Sequence, residues 1–167
     1  MENDIQSAIR ALPADGQRDI AVRLAEVALP FGSLVALTSR PLKTIADSLR
    51  AEKDPAEIDL LRRVLWDTPA LHEREEPSAL PDWYALGAVA VWVYAADSLC
   101  TAPCDGAVNT YTRLIDLLDE AEGDFGSPGL CDKADRAVRD ALADDATGLQ
   151  RLTREVEGFA DEIRRRG

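Results

Sequence analysis

Apolar residues recur at helical spacing along almost the whole chain, which predicts a succession of amphipathic helices. The first three stripes occupy residues 5–12, 20–28 and 42–49. A break at 13–16 separates the first two, and Pro30 halts or kinks the second, because proline cannot donate a helical hydrogen bond. Asp54-Pro55 supplies an N-cap and a proline at the first helical position for a fourth helix that ends near Trp66.

The longest charge-free run of the chain lies between Trp83 and Ala96. As a helix, this run would be about 21 Å long, which is short of the roughly 20 residues that a bilayer crossing needs. A helix that is apolar on all sides and too short to span is expected to be surrounded by protein. The run therefore predicts a buried central helix, entered at Pro81-Asp82 and covering about residues 82–100.

The chain on either side of this central helix also follows a helical pattern. We expect a solvated connection before it and a break after it, followed by a stripe that stops at Gly123. A loop with a helix start at Ser127-Pro128 comes next. The last helix ends in three arginines, whose positive charges interact favourably with the negative end of the helix dipole. These segments are the connection 69–80, the break 103–106, the stripe 108–118, the loop 124–129 and the stripes 130–141 and 149–163.

Two runs, at 33–38 and 89–94, are rich in the β-branched and aromatic residues that favour strands. Two strands alone would make only a marginal sheet. We therefore predict an all-α fold, a single-domain helical bundle spanning residues 1–167 around the central helix.

The chain is strongly acidic, with a formal net charge of −12. This charge argues against binding to a nucleic-acid backbone or to an anionic membrane. The N-terminus is acidic where a signal peptide would be basic, and three cysteines are an odd, low count that suits a reducing cytosol. Arginine outnumbers lysine 16 to 3, a bias typical of GC-rich bacterial genomes. We expect a cytoplasmic bacterial protein.

Cysteine and histidine offer one candidate metal site. Three thiolates, Cys100, Cys104 and Cys131, and one imidazole, His72, would suffice to bind zinc. Pro103 separates the closer pair, however, and no second closely spaced pair exists, so small buried thiols are the favoured interpretation. A disulfide between Cys100 and Cys104 is a further alternative. With one histidine in the chain, a two-histidine metal site is excluded.

Carboxylates offer a second candidate, a magnesium site of the kind that paired acids form inside helical bundles. The acids fall away from the apolar stripes, where solvent-facing residues belong, so this interpretation is disfavoured. Phosphate-binding glycine loops and nucleophile motifs are absent from the sequence, and no cofactor or catalytic residue is predicted. The candidate acids are Asp116, Asp119 and Glu120 on one helix and Glu155, Asp161 and Glu162 on the last.

Acidic residues are concentrated in one part of the chain. Eleven acids and four bases lie between Asp105 and Asp145, a net charge of −7. A solvated face that keeps the protein soluble would explain this excess, and an acidic docking surface for a basic protein partner would explain it too. The docking interpretation predicts one exposed surface formed by Asp116, Asp119, Glu120, Glu122 and Asp124, in which spacings of three and four place neighbours side by side.

The order of features resembles the YjaG-like family of uncharacterised bacterial proteins, domain of unknown function 416. Three motifs carry the resemblance, which covers most of residues 15–160: Leu24, Glu26 and Pro30 match L-x-E-x-x-x-P, Trp66-Asp67-Thr68 ends a helix, and Asp82 to Tyr84 enters an alanine-rich one. The chain lacks the tyrosine-rich segment that the family carries after this proline, and Phe31-Gly32 stands there instead. The resemblance implies an all-α fold and no activity.

With no catalytic constellation in the sequence, we expect a non-enzymatic protein-binding module of the immunity or inhibitor kind. An immunity protein for a toxin domain is one concrete form. Two alternatives remain open. One is a metal-dependent enzyme or metal-binding helical protein that uses carboxylates or the three cysteines, and the other is a self-associating structural subunit, suggested by the 3-4 spacing of the last helix.

Overall fold

The computed structural model describes residues 3–51, 54–67 and 79–166. This part of the chain contains eight α-helices and no strand, so the predicted all-α fold is confirmed. One hydrophobic core connects the helices. The helices are α1 (Asp4–Arg10), α2 (Ala14–Gly32), α3 (Ala36–Arg50), α4 (Pro55–Trp66), α5 (Leu80–Cys100), α6 (Pro103–Asp124), α7 (Leu130–Leu142) and α8 (Thr147–Arg166).

Helix α5 lies at the centre of the bundle, as predicted. It packs against α2, α3, α4, α6 and α8, and Val91 and Trp92 are completely buried. The indole Nε1 of Trp92 finds no acceptor among the described residues. With 21 residues, α5 is about 31 Å long, so by length and composition it could cross a membrane. The expectation that it is too short to span was wrong, and its position follows from packing instead.

The close approach of α6 to α5 explains an error in the predicted helix boundaries. The sequence predicts a break over 103–106, but α6 begins at Pro103, because proline fits the first helical position. Gly106, which suggested a break, lies inside the helix against the backbone of Ser98 on α5. The glycine is needed there because a side chain would not fit between the two helices.

The start of α7 was also predicted wrongly. Ser127-Pro128 does not begin the helix; α7 starts at Leu130 after Gly129, whose φ of +79° is a left-handed conformation that glycine adopts without strain. Pro30, expected to halt or kink its helix, lies inside α2. The predicted Asp54 cap is confirmed, since its carboxylate accepts a 2.8 Å hydrogen bond from the Ala56 backbone N–H.

Part of the predicted connection over 69–80 cannot be compared with the structure. Residues 68–78, and with them His72, lie outside the described residues. At its end the prediction was wrong, because Leu80 already belongs to α5.

An aromatic cluster joins four elements at the end of the bundle where α5 begins. The ring of Tyr84 lies 4.6 Å from that of Phe31 on α2 and 5.7 Å from that of Phe125, which follows α6. Phe125 in turn stacks on Phe159 of α8 at 4.6 Å, and the guanidinium of Arg166 lies 5.6 Å above its ring. The cluster contains all three phenylalanines of the chain, and its ring contacts link α2, α5 and α8 with the residue that follows α6.

Candidate protein-docking surface

The predicted docking residues lie on the last three turns of α6. Asp116, Asp119, Glu120 and Asp124 are exposed, and Glu122 is half-buried. The opposite face of the same segment carries the buried residues Leu114, Leu117, Leu118 and Ala121, so the apolar stripe of α6 turns these acids outward. We call the five carboxylates the acidic surface.

Asp124 is anchored to the core. Its Oδ2 accepts a 2.7 Å hydrogen bond from Oη of Tyr84, a residue with no exposed surface. Burial and this bond raise the pKa of the tyrosine well above its ordinary value. One of the five predicted docking acids therefore has a structural role, which is to satisfy a buried hydroxyl.

Glu122 also has a structural role. Its Oε1 accepts a hydrogen bond of 3.4 Å from the backbone N–H of Cys131, in the first turn of α7. The first N–H groups of a helix have no partner within the helix, and negative charge is favourable beside them. Glu122 therefore supplies the cap that the Gly129 N-cap, which has no side chain, cannot provide.

The other three acids, Asp116, Asp119 and Glu120, have no such partner among the described residues. More broadly, no acid between Asp116 and Asp145 forms an ion pair with a described residue, whereas Asp105 of the same helix pairs with Arg10 at 3.3 Å. The last turn of α6 also carries no base to complement its dipole. These three carboxylates therefore repel one another and the carbonyl end of the helix, and no ion pair with a described residue offsets this repulsion.

One group of potential metal ligands is found among the described residues. The ligand atoms of Asp119, Glu122 and Cys131 all lie within 4.8 Å of one another. The Cys131 thiol is half-buried, and burial together with Glu122, Asp119, Asp135 and Asp132 raises its pKa to about 11. The group is a carboxylate pair beside a protonated thiol, and its glutamate already caps α7.

The structure does not bring the three cysteines together. Cys100 Sγ lies 3.5 Å from the Pro55 carbonyl oxygen. Cys104 Sγ accepts a hydrogen bond of 3.4 Å from Nη1 of Arg10. Cys131 lies at the α6–α7 junction. All three are free and half-buried, and they form no common ligand group among the described residues.

The acids of α8 that suggested a magnesium site are used in ion pairs. Glu155 pairs with Lys133 at 3.2 Å, Asp161 with Arg164 at 2.9 Å and Glu162 with Arg166 at 2.8 Å. They lie on α8 and form no group of potential metal ligands with the α6 acids among the described residues. The two candidate carboxylate groups are thus separate surface features.

Two tyrosines that bond to carboxylates, Tyr84 and Tyr111, were not predicted as functional residues from the sequence. Tyr111 Oη donates to Asp135 Oδ1 at 2.7 Å and accepts from Asn3 at 3.2 Å, and burial and Asp135 raise its pKa to about 12. Tyr84 and Tyr111 each join a buried ring to a carboxylate on another element. A buried helical position occupied by tyrosine rather than phenylalanine was the available signal, since a buried hydroxyl needs a partner.

We expect that replacing Asp119 by asparagine and Glu122 by glutamine makes Cys131 react faster with iodoacetamide at pH 8. Removing two nearby negative charges favours the thiolate, so the rate should increase by roughly threefold while burial keeps the pKa above its ordinary value. In Glu122→Gln the amide oxygen can still accept the α7 bond. The measurement is alkylation followed by mass spectrometry, with Cys100 of the same variant as an internal reference. An unchanged Cys131 rate would contradict this arrangement of carboxylates around the thiol.

Comparison of the chain with protein-family models, with curated proteins and with solved structures found no match.

Proposed function

We propose that this protein is a non-enzymatic cytoplasmic binding protein of the immunity or inhibitor kind, which docks a basic protein partner on its acidic surface. The observation that carries the proposal is the set of exposed carboxylates on α6, Asp116, Asp119 and Glu120, which have no ion-pair partner among the described residues. Like charges at spacings of three and four destabilise a helix by tenths of a kcal/mol per pair. A cationic partner would relieve this repulsion and would be steered towards it.

The proposal also rests on how this surface is supported. Asp124 is fixed by Tyr84 and Glu122 by the start of α7, so the C-terminal end of the surface is held in place. Elsewhere in the described chain, most arginines near an acid already pair with it, for example Arg23 with Asp19 at 2.9 Å. Among the described residues, by contrast, Asp116, Asp119 and Glu120 of α6 form no ion pair.

Reversing the charge of Asp116, Asp119 and Glu120 to lysine should slow association with a basic partner at least tenfold and flatten its salt dependence, because steering by rim charges acts mainly on the association rate. The fold should be retained, because all three side chains are exposed. The measurement is a quantitative pull-down from lysate of the native host at low and high salt, followed by binding kinetics with each basic protein recovered.

The matched control reverses three exposed acids elsewhere, Asp47, Asp67 and Glu157, and changes the net charge by the same amount. Partners that are lost with the α6 variant and kept with the control support the docking surface. Identical partners and unchanged salt sensitivity for both variants would show that the α6 acids form only a solvated face.

A metal-binding function is the competing proposal, and Asp119, Glu122 and Cys131 are the residues that favour it. The two functions make different predictions for protein purified without chelator. One equivalent of bound zinc, iron or manganese that is lost in the Cys131→Ser variant would support the metal site. Its absence, together with partner binding by the same preparation, would leave the docking function.

A further inference from the structure

A cavity of about 690 Å³ opens between α2, α3, α4 and the end of α5, within the usual range for small-molecule sites. It lies beside Leu99, whereas the acidic surface lies beside Tyr84 near the opposite end of α5, about 22 Å away along the helix. The aliphatic side chains of Val22, Leu49, Ile58 and Leu99 line it. It is therefore a separate feature with an apolar wall.

Three arginines lie at the rim of this cavity, each held by a carboxylate. Arg18 pairs with Asp15 at 3.2 Å, Arg23 with Asp19 at 2.9 Å and Arg50 with Glu26 at 2.7 Å. Acids and bases are equal in number at the rim, so the net charge of the rim favours neither an anionic nor a cationic ligand. The choice of ligand therefore depends on which individual atoms still lack a hydrogen-bond partner.

Arg18, which lines the cavity, carries an unsatisfied group, its Nε–H. It is buried and has no acceptor among the described residues, although the Nη1 of the same side chain reaches Asp15. A buried donor without a partner costs free energy, and such groups in native proteins call for an explanation. A ligand that completes the site would therefore supply an acceptor, and a charged one would bond more strongly to guanidinium.

We propose that this cavity binds an aliphatic carboxylate. The hydrocarbon chain packs against Val22, Leu49, Ile58 and Leu99, and the carboxylate accepts from Arg18 at the rim, with Arg23 beside it. Binding requires a small rotation of the Arg18 side chain, since its Nε is covered in the present conformation. The side chain is 43% exposed, so there is room for this movement.

The test is a titration of the full-length chain with sodium octanoate, below its aggregation threshold, followed by calorimetry and by amide chemical shifts. We expect saturable 1:1 binding, with the largest shifts around Val22, Leu49 and Leu99. Octylammonium chloride and octan-1-ol, which carry the same chain, should bind at least tenfold more weakly. Equal binding of octylammonium, shifts that map elsewhere, or no saturation below 10 mM would each overturn the proposal.

The variant Arg18→Lys keeps the positive charge and removes the guanidinium, and with it the Nε–H. It should weaken octanoate binding by roughly tenfold, the loss expected for one charge-assisted hydrogen bond. The matched control is Arg40→Lys on the exposed side of α3, which should bind like the original protein. Circular dichroism confirms that both variants fold. Undiminished binding by Arg18→Lys would remove Arg18 from the site and overturn the proposed head-group contact.

Discussion

The variant Val91→Asp is expected to lose cooperative folding. Val91 is completely buried near the middle of α5, and an unpaired carboxylate there would cost several kcal/mol, against a total stability of about 5–15 kcal/mol for a typical domain. Val91 is a better position for this test than its neighbour Trp92, because Nε1 of Trp92 already lacks an acceptor among the described residues and its replacement would change two things at once. Thermal unfolding followed by circular dichroism, with size-exclusion chromatography, measures the effect.

The same substitution at an exposed valine is the control. Val64 on α4 is 58% exposed, so Val64→Asp should change the unfolding free energy by less than about 1 kcal/mol. If Val91→Asp unfolds as cooperatively and at the same temperature as Val64→Asp, α5 is not buried and the central-helix architecture is wrong.

Gly106→Ala should destabilise the protein by about 3 kcal/mol or more. A Cβ at Gly106 would lie 2.6 Å from the Cα of Ser98, and backbone atoms of α5 cannot move aside as the end of a flexible side chain can. The added methyl must therefore push α6 away from α5, which is a severe form of overpacking. Chemical denaturation measures the difference in unfolding free energy.

Gly123→Ala provides the matched control on the same helix. Nothing lies within 4 Å of a Cβ at Gly123, and alanine is the better helix former by roughly 1 kcal/mol. Gly123→Ala should therefore be neutral or stabilising. Equal effects at the two positions would contradict the close α5–α6 contact.

The helical architecture could be predicted because its signals are local. The apolar spacing of residues on α6 and α8 and the charge-free run of α5 each report on one element and its buried face. The boundaries near Gly106 and Gly129 could not be predicted in the same way. Glycine is needed at position 106 because Ser98 of another helix lies against it, and at position 129 because the backbone there is left-handed. Neither of these reasons can be read from the neighbouring residues in the sequence.

The acidic surface was only partly predictable for the same reason. The sequence indicates which acids share a helix and which face turns outward, and the structure has Asp116, Asp119 and Glu120 exposed on α6. The sequence could not show that Asp124 bonds to Tyr84, 40 positions away, or that Glu122 caps the next helix. Whether the surface docks a partner, and whether the chain belongs to the YjaG-like family, stay predictions.

The bond between Tyr84 and Asp124 bears on the affinity of the proposed docking surface. A flexible acidic segment that orders on binding loses conformational entropy, and this loss reduces its affinity. The acidic surface lies on regular helix, and its last residue is tied to a ring packed among Phe31 and Phe125. The backbone that carries its carboxylates is therefore preorganised, so under the proposed docking function a partner would meet a helix rather than a mobile tail. Under that proposal, such a helix would select partners by the spacing of their positive charges as well as by their number.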